Sequence, residues 1–172
     1  MLTIRSATSD DSSIISELGR TTFVETFENL FVNRADDLAA YLDATFTSTK
    51  IAAGLAKSGN RFWLAEWNRL PIGYAKLKLG SGHSAIDGRT VAQLQKIYVL
   101  RTHLSCGAGR DLQQAVLNCA RDARSDQIWL TVLESNRRAI EFYFKHGWKF
   151  AGKDRHRIGS QTFTYDVLSL SL

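Results

Sequence analysis

The sequence predicts a single α/β domain over residues 1–172, in which helices flank a layered mixed sheet. Three observations carry this prediction. Apolar residues from Leu112 to Ala123 recur at helical spacing, the clearest amphipathic pattern in the chain. Strand-like segments precede and follow that helix, and the second, Ile128–Leu133, is a continuous apolar run typical of a strand buried on both faces. The 172 residues, 44% of them hydrophobic, suffice for one core, and no repeat or linker divides them.

The N-terminal part predicts a strand, several helices and a hairpin. Leu2–Ala7 alternates as a strand does, and Thr8 or Ser9 can cap a helix that has Asp11 in its first turn. Two short helices are expected next, over residues 38–46 and 49–56. A hairpin follows, with strands at residues 62–67 and 72–79, and residues 80–90 form a loop.

The C-terminal part continues the alternation of strands and helices. Gln93–Leu100 is expected to be a strand, and Arg137–His146 a helix that Gly147 terminates. The last strand, Thr162–Val167, alternates until its apolar phase slips to Leu168, which predicts a bulge. An exposed C-terminal strand of this kind can pair across a homodimer.

Composition excludes several classes of protein. No apolar stretch approaches the ~20 residues of a membrane span, and no signal peptide opens the chain. Cys106 and Cys119 have no metal-ligand spacing and are too few for a disulfide framework, so we expect a cytoplasmic protein without a metal. The sequence pI is near 9.4, but no nucleic-acid recognition motif is present, so we expect no nucleic-acid partner.

Charge is distributed unevenly along the chain. Residues 1–50 hold eight acidic and four basic side chains, whereas the remainder holds nine acidic and eighteen basic ones. Such a division fits two ligands of opposite charge, and it equally fits two solvated faces of uneven composition.

A glycine-containing loop, residues 105–110, joins the strand Gln93–Leu100 to the amphipathic helix. Its glycines allow tight turns and close approach of a ligand, and the first turn of a helix leaves about four N–H groups unpaired. Together these features are typical of a diphosphate cradle, although many ordinary helix-entry loops also contain glycine. A dinucleotide fingerprint would need a glycine where Leu112 stands, and the Gly-Lys-Ser/Thr of a P-loop is absent.

Two ordered motifs resemble the GNAT superfamily of N-acetyltransferases. The first is the stretch 94–99 followed by Gly107-Ala108-Gly109, and the second runs from Val132 to Trp148 with Asn136, Tyr143 and Gly147 at the characteristic positions. The N-terminal half is similar, more loosely, to bacterial spermine/spermidine acetyltransferases of the PaiA type, in segments 21–27, 40–46 and 62–74.

The resemblance implies two neighbouring parallel strands that splay apart, with acetyl-CoA bound in the cleft between them. It assigns the pantetheine arm to the strand and to Asn136, the pyrophosphate to the loop, and a phosphate to a helical lysine. The residues so implied are Ile97, Tyr98, Val99, Ser105, Cys106, Gly107, Ala108, Gly109, Arg110, Asn136 and Lys145. One family residue, an Arg or Gln three positions before the first glycine, is replaced by Leu104, which predicts weakened coenzyme affinity.

The resemblance also implies that Tyr143 is the general acid that protonates the departing sulfur. A phenol with a pKa of about 10 can donate to a forming thiolate. The alternative is that Tyr143 only packs with Ala139 and Ile140 on one helical face.

The sequence leaves two routes open for the proton of the incoming amine. Relatives place a glutamate on the coenzyme strand, where this chain has Gln93 and Gln95, and a glutamine can hold a water but cannot accept a proton near neutral pH. Glu25 on the first helix is the substitute base, and release of the proton to bulk water is the alternative.

The function expected from the sequence is therefore acetyl-CoA-dependent N-acetylation of a primary amine. A polyamine or another small cationic amine is the expected acceptor, because the acidic N-terminal part can face a cation while the basic remainder faces the phosphates. The alternative is a non-catalytic acyl-CoA sensor, which the two strand glutamines favour and Tyr143 opposes.

Overall fold

One sheet of seven strands organises the computed structural model, which describes residues 1–172. Five α-helices and three short 3₁₀ turns connect the strands. The elements in chain order are β1 (Leu2–Ser6), α1 (Ser12–Phe27), α2 (Ala35–Thr45), α3 (Ser48–Leu55), β2 (Asn60–Trp67), β3 (Leu70–Lys78), β4 (Val91–Val99), α4 (Ala108–Asp122), β5 (Gln127–Leu133), α5 (Arg137–Lys145), β6 (Lys149–Ile158) and β7 (Gln161–Ser171).

The sheet is mixed, with the strand order β1-β2-β3-β4-β5-β7-β6. Only the central neighbours β4 and β5 are parallel, and every other pair is antiparallel. Helices α1 and α3 cover one face, where Ile15 and Ile51 pack with Leu64. Helix α4 covers the other face with Leu112 and Val116. The predicted α/β class, a mixed sheet flanked by helices, is confirmed.

Gly19 interrupts the apolar pattern of α1 near the middle of the helix. A Cβ at Gly19 would lie 2.4 Å from Cδ1 of Phe46, whose side chain is 1% exposed. The missing side chain lets the Phe46 ring enter between α1 and the sheet, so the pattern departs from a continuous apolar stripe at this residue.

The strand β6 has no clear signature in the sequence. Only Ile158 of its ten residues is buried, and five of the ten are lysine, arginine or aspartate. Such residues are typical of an edge strand, where charge discourages pairing with other chains. Antiparallel pairing with β7, rather than an apolar face of its own, holds this strand in the sheet.

The bulge expected in the last strand lies in its neighbour instead. Phe150 pairs with Leu168 and Gly152 with Val167, so Ala151 of β6 is the extra residue, while β7 pairs with β5 without a shift. The apolar phase of β7 changes because Val167 and Leu168 are both 0% exposed and pack into different apolar clusters.

The prediction that the last strand is an exposed edge is wrong. Strand β7 lies between β5 and β6, so β1 and β6 form the two edges of the sheet. Any pairing of this sheet with a second copy would therefore involve β1 or β6. None of the helices is long and apolar enough to cross a lipid bilayer.

Candidate active site

A gap opens between the two parallel strands at the centre of the sheet. The strands pair only where Val91–Gln93 meets Gln127–Trp129. Beyond that point β4 pairs only with β3, through Val99, and β5 pairs only with β7, through Leu133. The inward-facing backbone groups of both strands are therefore without a strand partner, and the predicted splay is present.

A β-bulge at Gln95 accounts for the geometry of β4. Lys76 pairs with Lys96 and Leu77 with Leu94, which leaves Gln95 as an extra residue. A bulge bends its strand and shifts the alternation of side chains by one. As a result Leu94 and Ile97, three residues apart, both pack against the cluster under α4.

The loop before α4 presents free N–H groups at one end of the gap. Gly107 has a φ of +91°, which suits glycine, and α4 begins at the next residue. The N–H groups of Gly107, Ala108, Gly109 and Arg110 have no acceptor within the protein. The first N–H group bonded inside the helix belongs to Asp111 and donates to the Gly107 carbonyl at 3.1 Å. These four groups, at the positive end of the helix dipole, can cradle an anion.

The other loop residues implied by the resemblance differ in whether their polar groups are already bonded within the protein. The N–H of Cys106 already donates to the His103 carbonyl at 3.2 Å, whereas that of Ser105 has no protein acceptor. Arg110 is exposed, and its guanidinium lies 2.9 Å from the Asp111 carboxylate. Leu104, at the position of the lost family side chain, is 40% exposed.

Helix α5 lies beside this loop. A Cβ at Gly109 would lie 3.9 Å from Cζ of Phe142, so the first turn of α4 faces α5. Asn136 caps α5, because its Oδ1 accepts from the Ala139 N–H at 3.2 Å. Its Nδ2 group has no protein partner and can donate to a ligand. Lys145 is exposed in the last turn of α5.

Tyr143 lies on the buried face of α5. Its side chain is 6% exposed and packs with Ile140, and its ring centroid lies 5.6 Å from that of Trp148. The Tyr143 hydroxyl makes no hydrogen bond within the protein and remains in reach of solvent. Burial raises the pKa of Tyr143, and the phenol of Tyr98 adds a smaller increase. The phenol is therefore protonated through neutral pH.

Tyr98 approaches the gap from the other face of the sheet. It packs against Tyr74 and Phe46, at centroid distances of 5.8 and 6.5 Å, whereas Tyr143 belongs to the cluster under α4. The two tyrosines therefore lie on opposite faces of the sheet, and Tyr98 belongs to the stretch of β4 that has no partner on β5.

The side covered by α1 and α2 holds an aromatic cluster, which we call the aromatic chamber. Its members come from α1, α2, the 3₁₀ turn between them, β4 and the β6–β7 hairpin. They are Phe23, Phe31, Tyr41, Leu42, Phe46, Tyr98, Ile158 and Phe163. Lys96 of β4 points into this group, with Nζ 5.3 Å from the Phe46 ring centre and 5.6 Å from that of Tyr98.

Hydrogen bonds tie α2 to the tip of the β6–β7 hairpin and so cover the aromatic chamber. The Asp37 carboxylate accepts from the N–H and the hydroxyl of Ser160, at 3.1 and 2.7 Å. These bonds lower the pKa of Asp37. The Gln161 amide donates to the Leu30 carbonyl at 3.2 Å.

Glu25, the candidate base, lies at the end of α1 beside the turn that follows β4. Its Oε2 accepts from the Arg101 N–H at 2.8 Å, and the Arg101 guanidinium also donates to the Glu25 carbonyl. Its Oε1 has no hydrogen bond within the protein. The glutamines of β4 differ from each other, because Gln93 accepts from the Ser81 hydroxyl at 3.2 Å and Gln95 is the bulge residue.

Sequence reasoning did not bring together Lys96 and the side chains of the aromatic chamber, and the one member it named as a site residue, Tyr98, was expected at the coenzyme instead. They come from elements far apart in the chain, and the Gln95 bulge hides which face of β4 they occupy. The available signal was the aromatic richness of segments 23–31 and 41–46. No group of histidine, cysteine, aspartate and glutamate side chains is arranged to hold a metal ion.

Comparison with known proteins agrees with this geometry. The model of the acetyltransferase (GNAT) family matches residues 22–148. An uncharacterized N-acetyltransferase of Mycobacterium tuberculosis is 32% identical over 125 residues, which cover 73% of this chain and 76% of that protein. An uncharacterized N-acetyltransferase of Lactobacillus delbrueckii is 25% identical over 130 residues, covering 76% of this chain and 74% of that protein.

Solved structures with coenzyme bound share the fold. The PaiA N-acetyltransferase of Thermoplasma acidophilum, in complex with coenzyme A, superposes with a TM-score of 0.79 at 16% sequence identity. The match covers 100% of this chain and 99% of the PaiA chain. A putative acetyltransferase of Salmonella typhimurium with acetyl-CoA has a TM-score of 0.72 at 19% identity, covering 99% of this chain and 93% of its own.

Proposed function

Since the chain belongs to the GNAT family of acetyltransferases and is an acetyl-CoA-dependent N-acetyltransferase, we propose that it acetylates a primary amine by direct attack on the thioester, with Tyr143 as the acid. One observation carries the proposal. The gap between β4 and β5 has the free amides of residues 107–110 at one end and the unpaired phenol of Tyr143 beside it.

The loop and the strand edge suit the two parts of coenzyme A. Four unpaired N–H groups at a helix start favour a diphosphate, because they can donate to its oxygens at the positive end of the helix dipole. The free edge of β4 near Ile97 and Val99 can pair with the amides of the pantetheine arm. The protein thereby aims the thioester, which supplies an activated acetyl group, at the centre of the gap.

Tyr143 stabilises the leaving group. As the amine nitrogen bonds to the carbonyl carbon, the carbon–sulfur bond breaks and the sulfur gains negative charge. The proton that the nitrogen loses on becoming an amide passes to the departing thiolate or to water. Complete proton transfer from a phenol of pKa about 10 to a thiolate of pKa about 8.5 costs roughly 2 kcal/mol, and burial of Tyr143 raises that cost. A hydrogen bond from the phenol to the sulfur needs no such transfer, so donation to the developing charge is its main contribution.

The attacking amine must first lose a proton. An alkylammonium of pKa about 10.4 carries a penalty of roughly 4.6 kcal/mol at pH 7 before it can attack. We assign Glu25 as the proton acceptor, because its Oε1 is free and its Oε2 is fixed by the Arg101 N–H. Gln95, at the bulge, can hold a water between the amine and an acceptor.

The test is release of free thiol from acetyl-CoA by the purified chain. The panel includes polyamines, amino acids, aminoglycosides and peptide N-termini, so that the polyamine expected from the sequence is compared directly with other amines. Turnover with at least one primary amine, strongly reduced in Tyr143→Phe, supports the proposal. Tight coenzyme binding without turnover on any amine favours the acyl-CoA sensor instead.

A further inference from the structure

We propose that Lys96 binds an anionic group of the acceptor, so that the substrate is a small amine that also carries a carboxylate or a phosphate. This inference rests on the proposed acetyl transfer and names its substrate class. It departs from the polyamine expectation, because Lys96, in the part of β4 that lines the gap, places a positive charge where the acceptor would bind.

The position of Lys96 places it on the acceptor side of the gap. The bulge at Gln95 turns Lys96 and Tyr98 to the same face of β4, away from α4. The Lys96 ammonium lies over the rings of Phe46 and Tyr98, and it acts on the pKa of Tyr41, lowering it against the larger effect of burial. Lys96 is thus half-buried, with its ammonium against the aromatic rings of Phe46, the C-cap of α2, and of Tyr98 on β4.

No acidic side chain neutralises this ammonium. Lys96 takes part in none of the ion pairs of the protein. The residue directly opposite on β3 is another lysine, Lys76, whose pKa is lowered to about 8 by burial and then by neighbouring lysines that include Lys96. Like charges directly opposite in a sheet are unfavourable, so this arrangement is best explained by an anion that joins it.

Nearby acidic residues have other partners. Glu25 bonds to Arg101, Asp37 bonds to Ser160, and Asp43 pairs with Arg20 at 2.8 Å. Three carboxylates of the acidic segments that suggested a cationic acceptor are therefore bonded within the protein, and of Glu25 only Oε1 is free.

The Tyr98 hydroxyl is a donor suited to an anion beside Lys96. It has no hydrogen-bond partner in the protein, and burial raises the pKa of Tyr98, so the phenol remains protonated. An ammonium together with a protonated phenol can bind a carboxylate or a phosphate, whereas the Lys96 ammonium repels a second ammonium.

The anion lies close to the reaction centre. Lys96 and Tyr98 belong to the stretch of β4 beyond Gln93 that has no partner on β5, so this stretch lines the gap, and the Tyr98 ring lies under the Lys96 ammonium. A small acceptor can therefore have its amine at the gap and its anionic group at Lys96.

The experiment compares matched amines with and without the anionic group. The pairs are β-alanine with β-alaninamide and phosphoethanolamine with ethanolamine, and spermidine is the cationic comparison. Each is assayed with the wild type, Lys96→Met, Lys96→Arg, and Lys57→Met as a control at an exposed lysine. For each pair, the ratio of kcat/KM for the anionic amine to that for its matched amine is compared between variants. This comparison cancels the intrinsic reactivity of each amine.

Loss of a hydrogen-bonded charge pair predicts that Lys96→Met raises KM for the preferred anionic amine by roughly 10- to 100-fold. The neutral partner should change little, Lys96→Arg should retain part of the preference, and Lys57→Met should match the wild type. The carboxylate and phosphate pairs decide which anion is used. A wild type that prefers spermidine, or an anionic amine whose KM is unchanged in Lys96→Met, overturns the inference while leaving acetyl transfer intact.

A second measurement does not depend on turnover. Calorimetry of the same amines with the coenzyme-saturated protein should show binding of an anionic amine that Lys96→Met abolishes. Equal binding by the two proteins, or binding by neither, overturns the anion site even if no amine is acetylated. Unchanged thermal unfolding of Lys96→Met confirms that the comparison is made between folded proteins.

Discussion

Replacing Tyr143 by phenylalanine removes one oxygen and leaves the ring in place. The hydroxyl has no protein partner, so its loss breaks no hydrogen bond, while the ring keeps its contacts with Ile140 and Trp148. The free energy of unfolding should therefore change by less than about 0.5 kcal/mol.

The effect of Tyr143→Phe on the rate follows from the role of the phenol. A hydrogen bond to a charged group is worth about 1.5–3 kcal/mol, which corresponds to roughly 10- to 150-fold in rate. Full proton transfer would allow up to about 10⁴-fold, but burial raises the pKa of Tyr143 and makes that transfer unfavourable. We therefore expect kcat to fall by about 100-fold.

The assay is thiol release at saturating acetyl-CoA and acceptor, accompanied by calorimetric titration with coenzyme A. Coenzyme affinity should stay within about threefold of the wild type, because the cradle amides are elsewhere. Phe144→Leu, at an exposed position of the same helix, is the matched control and should keep full activity. The reasoning fails if Tyr143→Phe retains more than about a third of kcat. It also fails if activity is lost together with a large drop in the unfolding temperature, since the loss would then reflect folding.

Three further predictions concern the loop, the base and the fold. Gly107→Val forces a β-branched residue to a φ of +91°, so coenzyme affinity should fall at least tenfold in calorimetry, and an unchanged Kd would exclude the cradle. Glu25→Gln keeps an acceptor for the Arg101 N–H but cannot take a proton, so kcat/KM at pH 7 should fall at least tenfold and recover toward pH 10. If the ratio of kcat/KM between variant and wild type is the same at every pH, the proton is released to water instead. Hydrogen bonds from Arg5 hold the pKa of Asp11 at about 2 instead of 3.8, so its carboxylate stabilises the fold above pH 4 and that stabilisation is lost as pH falls through 2. Asp11→Asn should lower the free energy of unfolding, measured in urea at pH 7, by about 1–2 kcal/mol. This is less than the full pKa shift implies, because Arg5 is 38% exposed and solvent screens the pair. A difference in stability between variant and wild type that is as large at pH 2 as at pH 7 would contradict this account.

The parts of the site that the sequence predicted are those encoded within a few consecutive residues. Gly107 and the helix start after it form the loop through local backbone preference. Asn136 caps α5 three residues before the amide that it accepts from, and Tyr143 follows two turns later on the same helix. Each of these depends on spacing along one segment, which a motif records directly.

The parts that the sequence did not predict depend on contacts between distant segments. The charged strand β6 is held by its neighbour β7, so it has no periodicity of its own. The aromatic chamber joins α2 to β4, and the face that Lys96 occupies changes with a single extra residue that has no composition signal. Alternation read from Gln93 onward therefore assigns the wrong side to every later residue of β4.

That extra residue, Gln95, gives one strand two separate duties. Past the bulge, Ile97 and Val99 face the apolar layer under α4 and the strand edge offers its amides, whereas Lys96 and Tyr98 meet the acceptor. Removal of Gln95 would rotate the later side chains by half a period and place the Lys96 ammonium among aliphatic residues. The backbone of this strand is proposed to bind the coenzyme, whereas the side chains at positions 96 and 98 are proposed to contact the acceptor. Substitution of those two residues during evolution can therefore change the acceptor without weakening coenzyme binding.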